Sequence, residues 1–297
     1  MANLKDIRKR ISSVRSTQQI TRAMKMVSAA KLRRAEDQVA ASRPYSEKLQ
    51  SLLTNLANRV EASSHPFLGE GSDAPVHVLL ITSDRGLCGA YNTNLSKAAE
   101  AFMASEQGAG ASLTICGRRG NDYFKNRSDR VLTAHVNVAG GVSLELAREV
   151  SAESTRLFTE GDAGSVYLVY SEFKSAMTQI VRTRQILPID RGEVSSQQDG
   201  NAGSAEGDDE ATDYLFEPGA EALLAGLLPR YLETTIYQAM LEGAASEHGA
   251  RMTAMDSATR NAGEMMDALT LQMNKARQAT ITGELMEIIA GAEALNG

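Results

Sequence analysis

From Leu4 to Val39 one stripe of positions, mostly apolar or small, recurs at alternating steps of three and four: Leu4, Ile7, Ile11, Val14, Gln18, Thr21, Lys25, Ser28, Leu32, Ala35 and Val39. That is the spacing of a coiled-coil seam. No proline or glycine interrupts the chain before Pro44, so a helix is predicted to pass that residue with a kink and end near Arg59, about 90 Å long. After Pro229 the same alternation returns at Leu241, Ala245, His248, Met252, Met255, Thr259, Ala262, Met266, Leu269, Met273, Ala276 and Thr280. Two long helices, each with a stripe to cover, are predicted to pack as an antiparallel coiled coil. Neither stripe is clean: Gln18, Thr21, Lys25 and Ser28 interrupt one, His248 and Thr259 the other.

The middle of the chain changes period. VHVLLITS, Val76 to Ser83, is the continuous apolar run of a strand buried on both faces. A helix is predicted over Asn94–Glu106, a strand over Leu113–Cys116, a short helix around Asp122–Asn126, a strand over Val131–Val138 and a helix over Ser143–Thr159. Strands follow at Ser165–Phe173 and Met177–Ile189. Alternation of strand and helix predicts a small three-layer, Rossmann-like α/β domain inserted between the arms of the coil. The predicted division is a terminal helix over residues 1–60, an α/β domain over 75–190, an acidic flexible loop over 191–217 and a terminal helix over 219–297.

Charge sharpens this picture. Ten Lys or Arg and a single acid, Asp6, lie between Met1 and Arg34, whereas eight acids and no base lie between Gly192 and Glu217, within a net charge of −6. A basic arm seeks an acidic partner, whether nucleic acid, anionic membrane or protein. The acidic segment, rich in Gly and Ser, reads as a solvated loop. No stretch is long and apolar enough to span a bilayer, and the charged start MANLKDIRKR does not read as a secretory signal, so a cytoplasmic location is expected.

The loop SDRGLCGAYN, Ser83 to Asn92, sits where an open α/β sheet places ligands, at the carboxyl end of a strand. It lacks the Gly-x-x-x-x-Gly-Lys-Ser/Thr of a phosphate loop, because Gly86 and Gly89 are three apart and Ala90 and Tyr91 stand where Lys and Ser are needed. Nor is it a dinucleotide fingerprint or a nucleophile elbow. It reads as a structural turn, with Asp84 and Arg85 either pairing with each other or orienting it, Gly86 and Gly89 allowing it, and Asn92 as a helix cap. Cys88 and Cys116 have no Cys-x-x-Cys or metal-ligand spacing, and His65, His77, His135 and His248 are scattered. No catalytic, cofactor or metal site is expected. The rival readings are a nucleic-acid module using the basic arm, opposed by its shared heptad stripe and few aromatics, and an enzyme or small-nucleotide binder using the α/β domain, opposed by the missing phosphate-loop residues.

Three separated stretches carry a resemblance: IRKRISSVRSTQQITRAMKMVSAAKLRRA (Ile7 to Ala35), SDRGLCGAYN (Ser83 to Asn92) and MDSATRNAGEMMDALTLQMNKARQATITGELMEI (Met255 to Ile288). In this order they resemble the gamma subunit of the F-type ATP synthase, bacterial type. The resemblance implies a rotor shaft inside a ring of alpha and beta subunits, its α/β domain beside the epsilon subunit and on the c-ring. A regulatory inhibitor subunit is a further candidate partner, and nucleic acid is not. Catalysis would then belong to the beta subunits, and the location to the cytoplasmic face of the inner membrane, as a peripheral protein. It further implies that Arg8, Arg10, Lys25, Arg33 and Arg34, among Lys9, Arg15, Arg22 and Lys31, face an acidic loop of beta. Met24 would pack at that level, and Arg277 and Gln278 would hydrogen-bond a catch loop of beta. The tip IIAGAEALNG would sit in an apolar bearing. Chloroplast members carry a regulatory cysteine pair in a middle-domain insertion; the acidic loop here has no cysteine, so thiol control of that kind is not expected.

Overall fold

The computed structural model describes residues 4–57, 65–69, 71–136, 141–189 and 219–296. The predicted acidic loop at 191–217 lies outside the described residues. The chain forms two compact units, one of residues 1–29 with 251–297 and the other of residues 30–250. Helices α1 (Leu4–Ala57) and α5 (Ala220–Asn296) contribute to both.

In the first unit the two helices run antiparallel. Thr21 and Thr259 face each other with hydroxyl oxygens 2.8 Å apart, Gln18 Nε2 donates to the Thr259 carbonyl at 3.4 Å, and Lys25 Nζ lies 2.5 Å from Asp256 Oδ1. On α1 the predicted stripe from Leu4 to Ser28 is buried or half-buried throughout. On α5, Met255 and Ala262 are buried and Met266, Leu269, Met273 and Ala276 half-buried, but Thr280 is exposed. With Thr21 opposite Thr259, Ala276 comes opposite Leu4, so Thr280 lies past the described start of α1 and has no facing turn there. Of the polar residues that spoil the stripes, Gln18 and Thr21 both meet Thr259, and Lys25 is answered by Asp256. Such matched polar positions specify register, at some loss of hydrophobic stabilisation.

The second unit is built on a five-stranded sheet of order β3-β2-β1-β4-β5. Its strands are β1 (Val76–Ile81), β2 (Ser112–Cys116), β3 (Val131–His135), β4 (Ser165–Phe173) and β5 (Gln179–Leu187). The first four pair in parallel, and β5 returns antiparallel to β4. The turn between β4 and β5 is too short for a parallel crossover, which needs a dozen or more residues. Helices α2 (Tyr91–Ala104), α3 (Arg118–Phe124) and α4 (Leu144–Thr159) supply the crossovers. Helix α4 starts where the Ser143 side chain accepts the Leu146 N–H, and its Ala147, Val150, Ser151, Ser154 and Leu157 form one buried face.

Alternation along the strands makes two cores. Val78, Leu80, Leu113, Ile115 and Val169 face Tyr91, Leu95 and Ala99 of α2 and Phe124 of α3. Leu79, Ile81, Val166 and Leu168 face α4 together with Leu49, Leu53 and Leu56 of α1 and Leu224, Leu228, Leu232 and Ile236 of α5. The third layer is therefore largely lent by the long helices. Burying each such leucine contributes about 1.5–3 kcal/mol. The α/β unit includes these helix segments as part of its own core.

Candidate functional site

The strand-end loop is built from its own hydrogen bonds. Beyond β1, the Thr82 N–H donates to the Cys116 carbonyl at 2.7 Å, and Thr82 Oγ1 accepts the Gly120 N–H at 3.0 Å. The Ser83 N–H donates to Asn92 Oδ1 at 3.0 Å, and Asn92 Nδ2 donates to Ser83 Oγ at 2.8 Å and to Cys88 Sγ at 3.1 Å. Asp84 Oδ1 accepts the Arg118 N–H at 2.9 Å, and the Ser83 carbonyl accepts that of Arg119 at 3.0 Å. Leu87 and Gly89 both take positive φ, 63° and 59°, and a side chain on Gly86 would meet the Arg119 guanidinium at 2.6 Å. The amides at the start of α3 and after β1, the donors a phosphate would need, are taken by the protein itself.

Asn92 does not cap α2. The helix begins at Tyr91 with Ala90 in the N-cap position, and Asn92, inside the first turn, reaches back to Ser83. The short helix at Arg118 likewise starts earlier than its sequence suggests, because its first amides close onto this loop. Leu87, 63% exposed, stands out from it beside exposed Arg85, Arg118 and Arg119.

Neither cysteine is poised for chemistry by its surroundings. Burial first, then the Glu153, Glu149 and Asp84 carboxylates, push the Cys116 thiol up to about 12, far from the thiolate range that reactivity needs. Cys88 is buried against Asn92. The histidines separate in space as in sequence. His65 Nδ1 accepts the Phe67 N–H in a short 3-10 turn, and His77 is enclosed in the sheet beside Ser112 Oγ at 2.8 Å. His135 on β3 lies 3.5 Å from Glu153 Oε2 and 3.9 Å from Glu149 Oε1. Glu153 also takes the Thr133 hydroxyl and, at 3.4 Å, that of Thr114 on β2, a polar cluster that sequence reading missed because its members come from β2, β3 and α4. Among the described residues, no group of three His, Cys, Asp or Glu could hold a metal ion.

The predicted partner-facing residues are surface residues of the two long helices. Arg8, Arg10, Arg277 and Gln278 are exposed in the first unit, and Arg33 and Arg34 in the second. Met24 is half-buried. Lys25 is engaged within the coil: its ammonium pairs with Asp256, whose carboxyl is held below the usual range by that hydrogen bond and charge first and by Arg260 as well. Beyond Ala276 every described side chain of α5 to Ala292 is exposed, including Ile281, Leu285, Met286, Ile288 and Ile289. A run of large apolar side chains left uncovered marks a surface for a partner.

A family model described as ATP synthase matches residues 3–295. The chain is 45% identical to the ATP synthase gamma chain of Geobacter sp. (strain M21) over 299 residues, covering all of both chains. It is 43% identical to that of Chlorobium phaeobacteroides (strain BS1), again over all of both. It is 45% identical to that of Anaeromyxobacter sp. (strain Fw109-5), over 99% of this chain and 100% of the other. Its fold is similar to a chain in the rotor of the Euglena gracilis mitochondrial ATP synthase, with a TM-score of 0.66 at 21% identity, covering 94% of this chain and 98% of that one. A chain in the central stalk and c-ring structure of the Tetrahymena thermophila enzyme gives 0.60 at 23% identity, covering 80% and 99%.

Proposed function

The chain belongs to the ATP synthase gamma chain family, and from that premise we propose that it is the central shaft of an F-type ATP synthase. In this reading it turns with the c-ring and drives the catalytic beta subunits in sequence through their nucleotide affinities, linking proton flow to ATP synthesis or hydrolysis. The observation that carries the reading is the matched antiparallel coil of Thr21 with Thr259 and Lys25 with Asp256, beyond which α5 continues with its apolar side chains uncovered. A coil that satisfies its own seam and leaves one end bare is suited to a surrounding sleeve.

The chain is a non-catalytic subunit in this proposal. The Arg118, Arg119 and Gly120 amides are spent on Asp84, Ser83 and Thr82, and the Ser83 amide on Asn92, which supports a structural role for Asp84, Arg85, Gly86, Gly89 and Asn92. Exposed Arg8, Arg10, Arg33 and Arg34 are assigned to the acidic loop of beta, by attraction strongest where water is partly excluded. Met24 and Lys25 are assigned to the same level, and Arg277 and Gln278 to a catch loop. Alpha, beta and epsilon subunits and the c-ring are the partners. The division into terminal helices at 1–60 and 219–297, a body at 75–190 and an acidic loop at 191–217 is the working one. No helix among the described residues is long and apolar enough to cross a membrane; the proposal places the chain as a peripheral protein at the cytoplasmic face of the bacterial inner membrane, by its family.

A tagged pull-down from gently solubilised membranes tests this. One copy of the chain with three alpha and three beta subunits and ATP hydrolysis is the expected recovery. The chain alone, or with nucleic acid, would overturn the reading.

A further inference from the structure

Residues 242–246 of α5 are fastened to α2 and to β4 by polar contacts as well as by apolar packing. The Tyr91 hydroxyl donates to the Gly243 carbonyl at 2.9 Å, and Ser246 Oγ donates to the Ser171 carbonyl at 3.2 Å. Next to Gly243 on the helix stands Glu242. Its Oε1 lies 3.4 Å from Gln238 Nε2, and its carboxyl receives the Phe173 N–H at the end of β4. Its Oε2 is buried with no hydrogen-bond partner. A buried acceptor left unmatched is rare and asks for an explanation.

The surroundings of this carboxyl come from three elements. Arg43 faces it from α1, Glu172 and Tyr170 face it from β4, and Gln238 lies one turn back on α5. Glu172 is itself engaged by Lys174 Nζ at 2.5 Å and Arg182 Nε at 2.8 Å, so those two cations answer Glu172 directly. Burial pushes the Glu242 carboxyl above the usual range, and the Glu172 charge adds to this. The hydrogen bonds of Gln238 and Phe173 and the charge of Arg43 oppose it. Burial similarly carries the Tyr170 phenol to about 12, so Tyr170 stays neutral beside it.

We propose that Glu242 is a proton-responsive fastener: as the neutral acid it packs between β4, α1 and α5, and on ionising it loosens the hold of residues 242–246 on the end of β4. Oε2 is the site of the proton, since a bound hydrogen removes the charge that this atom would otherwise hold unmatched in a dry setting. The proton leaves to solvent when the segment opens. A carboxyl whose folded pKa is raised contributes stability that is complete below its unfolded value and is lost as pH rises through the folded value. The attachment is therefore firm in acid and slackens on the alkaline side. This goes beyond the rotor reading and does not depend on it.

Amide hydrogen exchange on the full chain, corrected for intrinsic chemical rates, tests the proposal from about pH 5 to about pH 9. In the wild type, exchange at Ser171 to Phe173 and across 239–246 should quicken roughly threefold or more toward the alkaline end. In Glu242→Gln it should become independent of pH. Because that variant could fail to fold, Glu172→Gln serves as the second arm. Removing the neighbouring carboxylate should move the exchange transition to lower pH. A wild type with no pH response in these segments, a Glu242→Gln chain that keeps the response, or a transition unmoved by Glu172→Gln would overturn the proposal.

Discussion

Asn92 and Ser83 hold each other by a reciprocal pair: Asn92 Oδ1 accepts the Ser83 N–H at 3.0 Å, and Asn92 Nδ2 donates to Ser83 Oγ at 2.8 Å. One side chain in the first turn of α2 thereby closes the loop that leaves β1. Asn92→Ala removes both contacts and leaves the backbone donor of buried Ser83 unmatched. The expected loss is about 1–3 kcal/mol, read as a lower denaturation midpoint of the full chain. Asn92→Asp should recover part of it, since the Ser83 N–H keeps an acceptor. Equal stability of wild type and Asn92→Ala would contradict the role given to this pair.

His77 predicts an acid limit. The ring is fully enclosed, Nε2 has no partner, and burial lowers its pKa from 6.5 to about 4 against a weaker upward pull from Glu153. The unfolded chain binds this proton more readily than the folded one, so the contribution is complete above about pH 6.5 and is lost as pH falls toward about 4. It amounts to at most about 3 kcal/mol. Melting temperature against pH should show that slope in the wild type and a shallower one in His77→Gln. Parallel curves would refute it.

Lys25 and Asp256 predict a titration shift rather than a large change in stability, because both are substantially exposed. The depressed Asp256 carboxyl favours the folded chain above its unfolded range, and that preference fades as pH falls through the folded value. In Lys25→Met the carboxyl resonance of Asp256 should titrate at higher pH than in the wild type. An unmoved midpoint would show that the pair does not persist in solution.

Gln278 tests the interface assigned to the far part of α5. Gln278→Leu keeps the size of the side chain and removes its polar end, and should reduce coupled ATP synthesis by the assembled complex roughly two- to tenfold, the worth of one interfacial hydrogen bond. Assembly should be unaffected, since the position is exposed and takes no part in the seam. Unchanged turnover would remove Gln278 from the contact.

By itself the sequence determined the elements and their faces. The three-and-four alternation marked the buried stripe of α1 from Leu4 to Ser28, the apolar run marked β1, and the crowding of Lys and Arg before Arg34 marked an exposed basic surface. These are local properties, set by which side of a helix or strand a residue occupies. Tertiary structure alone decided the partners. Gln18, Thr21 and Lys25 read as defects of one stripe until α5 brings Thr259 and Asp256 against them, and Thr21 and Thr259 are 238 positions apart. Asn92 reads as a cap, and only the path of β1 into α2 turns it toward Ser83. The direction of β5, the cluster about Glu153 and the unmatched oxygen of Glu242 belong to the same class. Periodicity states which face is buried, whereas a hydrogen bond needs two atoms within about 3 Å, and that distance is fixed only when separate elements dock.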